Sequence, residues 1–279
     1  MFRRLANSWE LVKASWSVLM ADKELVVFPI VSFIATLVVI ATFAVPTFMA
    51  GVFDSTVGGE FPIAGYIIGF AFYVAMYTVT IFANAAVVGA ANIRLKGGDP
   101  TIADGFRIAF SHFGSILGYA LIAATVGMIL RRLSERSGVL GRIVISLIGT
   151  AWNIATYLVV PVLVIEGVGP VDGVKRSVEL LKKTWGEQLA GNFGIGMVFG
   201  WLSFLVILVG IPGIIFAVAS EMFWLVAVVV GLMVVALMLL GLISSTLSGI
   251  YVTAVYRYAT TGKTEMFDAA LIENTFKQK

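Results

Sequence analysis

Hydrophobic positions along this chain follow two patterns. Long uncharged runs occupy residues 25–53, 63–93, 114–130, 143–165, 189–219 and 222–256, each near or beyond the roughly 20 residues a helix needs to cross a hydrocarbon core of about 30 Å. Between the runs lie shorter segments in which apolar residues recur every three or four positions. Phe2, Leu5, Trp9, Val12, Trp16 and Leu19 form one set, Ile102, Phe106, Phe110 and Phe113 a second, and Val171, Val174, Val178, Leu181 and Trp185 a third. That spacing is one face of an α-helix, and Lys175, Arg176, Glu179, Lys182 and Lys183 fall on the opposite side of the third segment. The pattern predicts an all-α polytopic membrane protein: six transmembrane helices plus amphipathic helices lying in the cytoplasmic interface.

Each amphipathic segment leads directly into a pair of spans. The chain therefore reads as a single membrane domain, residues 1–279, made of three helix-plus-hairpin units at 1–98, 99–168 and 169–279. Residue matches support the division: Ala103-Asp104-Gly105-Phe106-Arg107 opens the second unit and Val171-Asp172-Gly173-Val174-Lys175 the third. Asp104 and Asp172 have two readings, functional carboxylates or, more commonly, residues that stabilise a helix N-terminus, and Asp99-Pro100 and Gly169-Pro170 look like helix starts with Pro in the first turn. The sixth run, about 35 residues and so roughly 52 Å as one helix, must protrude, bend or contain a re-entrant piece. Pro46, Pro161 and the Gly210-Ile211-Pro212-Gly213 stretch are expected points of helix interruption. Gly65 and Gly69, Asn192, Gly196 and Gly200, and Gly241, Ser245 and Gly249 form small-residue ladders whose expected use is packing within one protomer.

Composition agrees with the membrane reading. The chain is 59% hydrophobic and 13% charged, with a mean hydropathy of +1.00, where soluble domains are nearer one quarter charged. Zero Cys and a single His exclude disulfides, thiolate metal sites and histidine clusters, so no cofactor is expected. The net charge of +3 marks retained loops rather than nucleic-acid binding. Fifteen of the 19 basic residues fall in segments that would share one side with both termini, which places the termini in the cytoplasm. The first run follows a charged amphipathic stretch without a cleavage pattern, so it is expected to stay in the mature protein.

The four exceptions, Arg131, Arg132, Arg136 and Arg142, all fall in one outer loop. Two readings compete for them: a turn in which Glu135 neutralises one charge and the Arg stems reach towards lipid phosphates, or a site for anionic headgroups or an anionic ligand. A third is that the flanking spans do not cross fully. No span centre carries Asp, Glu, Lys, Arg or His, whereas intramembrane ionisable groups mark transport pathways. Asn84 and Asn153 are the central amides, with interhelical hydrogen bonding as their default role. No phosphate loop, HExxH or GxSxG motif is present, so no enzyme activity is expected.

Several stretches carry a family resemblance: Ile93-Arg94-Leu95-Lys96-Gly97-Gly98-Asp99-Pro100, Tyr157-Leu158-Val159-Val160-Pro161-Val162-Leu163, Val164-Ile165-Glu166-Gly167-Val168-Gly169-Pro170, Lys182-Lys183-Thr184-Trp185-Gly186-Glu187 and Ala254-Val255-Tyr256-Arg257-Tyr258-Ala259-Thr260-Thr261-Gly262. They resemble an uncharacterised family of bacterial six-span membrane proteins, often labelled as similar to the membrane domain of glycerophosphoryl diester phosphodiesterase. The resemblance covers nearly the whole chain and implies the bacterial cytoplasmic membrane, but no activity, since the hydrolase of that label needs a separate soluble domain with acidic metal ligands and paired histidines. Its motifs gather at the cytoplasmic ends of spans two, four and six. Arg94, Glu166, Asp172, Lys175, Arg176, Trp185, Glu187 and Arg257 are therefore the candidate members of a polar layer beneath the bundle, which as readily fixes topology as it serves a function. Expected partners are the bilayer and its anionic headgroups; a homo-oligomer or a protein partner is compatible with the sequence. The leading expectation is a non-enzymatic scaffold, assembly or membrane-homeostasis factor. A transporter or channel for a lipid or small solute comes second, and a lipid-processing enzyme third.

Overall fold

The computed structural model describes residues 2–49, 63–183 and 188–262. Among them there is no strand, and six helices are long and apolar enough to cross a membrane. Helix α1 (Phe2–Ala21) leads through a 3-10 turn (Lys23–Val26) into α2 (Val27–Met49), and α3 (Ile63–Leu95) returns. Helices α4 (Ile102–Ser111), α5 (Phe113–Glu135) and α6 (Val139–Ala155) follow, then a short α7 (Val159–Pro161) and a π-helical turn (Val162–Glu166). The chain continues with α8 (Pro170–Lys183), α9 (Gln188–Ala219) and α10 (Phe223–Thr261).

Local chemistry accounts for the helix boundaries. Helix α3 stops at Gly97, whose φ of 85° suits glycine; the Gly98 N–H reaches the Ile93 carbonyl and the Gly97 N–H that of Arg94, a Schellman closure. Thr101 caps α4, accepting from the Asp104 N–H, while the Asp104 carboxylate accepts from the Thr101 N–H. Asp104 is thus a capping residue, as expected, but Pro100 lies just outside the helix rather than in its first turn. Pro170 does open α8.

Two expectations about the spans need correction, and two others hold. Helix α5 runs to Glu135 and α6 starts at Val139, so only Arg136 of the four outer arginines lies in the connecting turn; Arg131 and Arg132 end one helix and Arg142 begins the next. Pro46 and Pro212 do not interrupt their helices: neighbouring helices and local adjustment accommodate proline in spans. The expected interruption at Pro161 is present: the fourth span breaks at residues 156–158, just before Pro161, whose ring would clash with the carbonyl four residues back. The sixth run is one uninterrupted helix of 39 residues, about 58 Å long, so it extends beyond the hydrocarbon thickness.

Helix α3 is the hub, packing against α2, α4, α5, α7 and α10. Its buried face, Ala85, Ala86, Ala90 and Ala91, is small enough for backbones to approach closely. A Cβ on Gly105 of α4 would lie 2.3 Å from the Phe28 ring and 3.0 Å from the Ala86 carbonyl oxygen, and one on Gly249 of α10 would lie 2.6 Å from Val87. The three short helices dock mainly on segments other than the hairpins they lead into. Helix α1 packs on α9 and α10, α4 on α3, and α8 on α5, α6, α7 and the π turn as well as on α10. In α8 the buried positions are Gly173, Ser177, Leu180 and Leu181, while Val171 is exposed; the inward face is rotated from the stripe its valines suggest. The buried core gathers where these helices meet the span ends. The far halves of α2, α9 and α10 expose large apolar side chains, including Phe48, Val209, Phe216, Phe223 and Leu232.

Candidate functional site

Three polar clusters sit at the end of the bundle where the core lies. In the first, Asp22, 7% exposed at its side chain, binds the Nε and Nη2 of Arg94 in a bidentate pair. Arg94 Nη2 also reaches Asp99 at 2.6 Å, and the Glu24 carboxylate accepts from the Ile102 N–H at the start of α4. A charge this buried persists because its partner is buried with it.

The second cluster centres on Glu166 at the end of the π turn. Arg176 Nε lies 3.2 Å from both carboxylate oxygens, its Nη1 donates to Glu179 at 3.2 Å, and the Tyr256 hydroxyl donates to Glu166 at 2.9 Å. Hydrogen bonding to Glu166 first, then to Glu179, holds the Arg176 guanidinium above its ordinary value. Beneath this cluster the buried Ser177 hydroxyl donates to the Ala155 carbonyl at 2.7 Å and accepts from the Leu158 N–H at 3.1 Å. Ser177 thereby bridges the two sides of the break in the fourth span. In the third cluster, Arg257 Nη1 of α10 donates to the Asn92 side-chain oxygen of α3 at 2.9 Å.

The structure thus brings Glu166 and Arg176 together, ties Arg94 and Arg257 to other residues, and leaves Asp172 and Lys175 paired with each other at the surface. Trp185 and Glu187 lie outside the described residues. Asp22, Asn92, Ser177 and Tyr256 were not among the candidates from sequence. Asp22 follows the first periodic segment and Ser177 sits within the third, both as ordinary polar positions, and their partners are 72 and 19 to 22 residues away. At the opposite end, Arg131 pairs with Glu135 at 2.9 Å and donates to the Tyr73 hydroxyl at 2.5 Å, while Arg132 lies 4.4 Å over the Tyr66 ring. Arg142 reaches the Ser137 carbonyl at 3.3 Å, and Arg136 is exposed.

Neither central amide has a side-chain hydrogen bond among the described residues, contrary to their default role. Asn153 is exposed on α6, in line with Arg142, Ser146 and Thr150. Asn84 lines a laterally open cleft of about 190 Å³ between α2, α3 and α10. The small-residue ladders also depart from expectation. Gly249 makes a close helix contact, but a Cβ on Gly69, Gly196, Gly200 or Gly241 would meet no neighbour within 4 Å. On α9, Gly200 shares a shallow outer groove of about 390 Å³ with Met197, Trp201 and Phe204. No three His, Asp or Glu side chains among the described residues converge as a metal would require.

Residues 63–266 match the model of a family of unknown function, DUF6159. The match takes in the second and third polar clusters and both candidate amides. No curated protein and no solved structure matches the chain.

Proposed function

We propose, for a chain that belongs to the DUF6159 family of unknown function, the role of a non-enzymatic scaffold or assembly factor of the bacterial cytoplasmic membrane, with both termini in the cytoplasm. The observation that carries this reading is the outward ladder on α9. Gly196 and Gly200 stand one helical turn apart and open away from the protein, beside the exposed Met197, Trp201 and Phe204. Helices associate in lipid through such small-residue faces, where backbones approach and flanking side chains interlock. The internal polar clusters support the same reading, because they tie spans to one another rather than line a path between them. The likeness to the membrane domain named after glycerophosphoryl diester phosphodiesterase belongs to this proposal only as a shared six-span architecture and carries no hydrolytic step.

Because the chain has no Cys, Gly200→Cys gives a single reporter. Cross-linking in native membranes is expected to yield a discrete protein adduct at this position, weakened by Gly196→Leu and absent from a Val209→Cys reporter further along the helix. Only lipid adducts at Gly200→Cys, together with solute or lipid flux by the purified protein in liposomes, would replace the scaffold with a transporter.

A further inference from the structure

The cleft between α2, α3 and α10 combines polarity, depth and lack of internal partners. Ser32 and Thr36 project from α2, Thr80 and Asn84 from α3, and Ser245 from α10. Hydroxyls in spanning helices ordinarily bond the carbonyl a turn back. Thr42, Thr78, Thr80, Thr125 and Thr246 do so, at 2.7 to 2.9 Å. The hydroxyls of Ser32, Thr36 and Ser245 and the amide of Asn84 have no hydrogen-bond partner among the described residues. Four polar groups on three helices thus converge on one space with their hydrogen bonds unmade, a costly arrangement in hydrocarbon unless something occupies it.

Depth follows from helix rise. Asn84 lies ten residues before Arg94 and Ser245 twelve before Arg257, or about 15 and 18 Å along their helices from the charged end, near the middle of a core of about 30 Å. One turn beyond Ser245, Gly249 of α10 approaches Val87 closely, and Val87 itself belongs to the lining. Phe33, Leu242 and Val87 complete an apolar lining. No charged side chain among the described residues lines the cleft, so an ionised headgroup placed there would lack a counter-charge.

We propose that this cleft binds the uncharged polar end of a membrane lipid, a hydroxyl or ester group of the diacylglycerol type, which enters sideways from the bilayer while its chains stay among the acyl chains. Asn84 offers a donor and an acceptor, and the three free hydroxyls complete the set. Gly241 leaves the space open: a Cβ there meets no protein atom within 4 Å, so a larger side chain fills the cleft without displacing the helices.

The test uses the full-length protein in nanodiscs with a diazirine-bearing diacylglycerol, adducts being mapped by mass spectrometry. Saturable labelling is expected on the α2, α3 and α10 segments around Ser32, Asn84 and Ser245, competed by unlabelled diacylglycerol and not by phosphatidylethanolamine. Gly241→Leu should abolish it while leaving adducts on the outer face of α9 unchanged. Asn84→Leu, which keeps the volume, should weaken binding about five- to tenfold, as expected for one or two lost hydrogen bonds. Thermal unfolding of each variant in detergent checks the fold, and Ser245→Ala, with a smaller weakening, serves if either unfolds. Labelling spread evenly over the lipid-facing helices and indifferent to these substitutions would overturn the proposal. So would preferential labelling of the cleft by a diazirine-bearing glycerol supplied from water, which would make it a solute site. Neither result depends on the scaffold reading.

Discussion

Ser177 shows how one side chain decides whether a broken helix is tolerable. Where the fourth span is interrupted before Pro161, the Ala155 carbonyl and the Leu158 N–H turn to the Ser177 hydroxyl. Ser177→Ala leaves both backbone groups buried without that partner, and a buried unsatisfied group costs about 1–3 kcal/mol. The expected outcome is a loss of that size in detergent-mixture unfolding. Ser146→Ala, on the exposed face of α6, is expected to change stability by no more than about 0.5 kcal/mol. Equal effects from the two substitutions would show that the bridge contributes nothing. Asp22 illustrates the same dependence on a distant partner: an Asp at a helix end reads as an ordinary surface residue until Arg94, 72 positions on, is seen to enclose it.

At the scale of elements, glycines divide by what stands opposite them. Gly105 faces the Phe28 ring and the Ala86 carbonyl, so that α4 lies flat on α3 and α2. Gly105→Ala forces the fixed backbone of α3 apart and is expected to destabilise by about 1–3 kcal/mol, the range for overpacking. Gly114, in the first turns of α5, has nothing within 4 Å of its missing Cβ. Gly114→Ala is therefore expected to stabilise by about 0.5–1 kcal/mol through helix propensity. Midpoints of thermal unfolding in one detergent, compared for the two variants, check the opposite signs. The sequence gives both positions the same appearance, a glycine between a phenylalanine and a polar residue. It likewise points α8 inwards through its valines, whereas the fold buries Gly173 and Ser177, because a close approach to Leu163 and the helix break requires small residues there.

For the whole molecule, the docking of α1 on α9 and α10, α4 on α3, and α8 on the end of the fourth span joins the three hairpins through the short helices. The core and the polar clusters lie on that side, and the outer arginines lie at the other. If the charge distribution sets orientation, Leu140→Cys, 81% exposed just after the α5–α6 turn, is expected to react with a membrane-impermeant maleimide in intact cells. Lys96→Cys, at the inner end of α3, is expected to react only after permeabilisation. Reversed labelling would put both termini outside and would also reverse the face assigned to the polar clusters.

The number of spans and their approximate limits are legible in the sequence, because transfer of about 20 apolar residues into hydrocarbon is a free energy each segment carries by itself. So are the Pro170 start of α8 and the capping role of Asp104, which depend on neighbours within one turn. Partnership is not legible in the same way. Which carboxylate meets Arg94, which hydroxyl spans the break before Pro161, and which glycines face a helix rather than lipid all depend on residues brought together from distant parts of the chain. The cleft at Asn84 is of this kind: the sequence marks Asn84 as a central amide and Ser245 as a member of a small-residue ladder, but nothing within either helix links them to each other or to Ser32 and Thr36. Only the crossing of α2, α3 and α10 gathers them round one space and leaves their hydrogen bonds open.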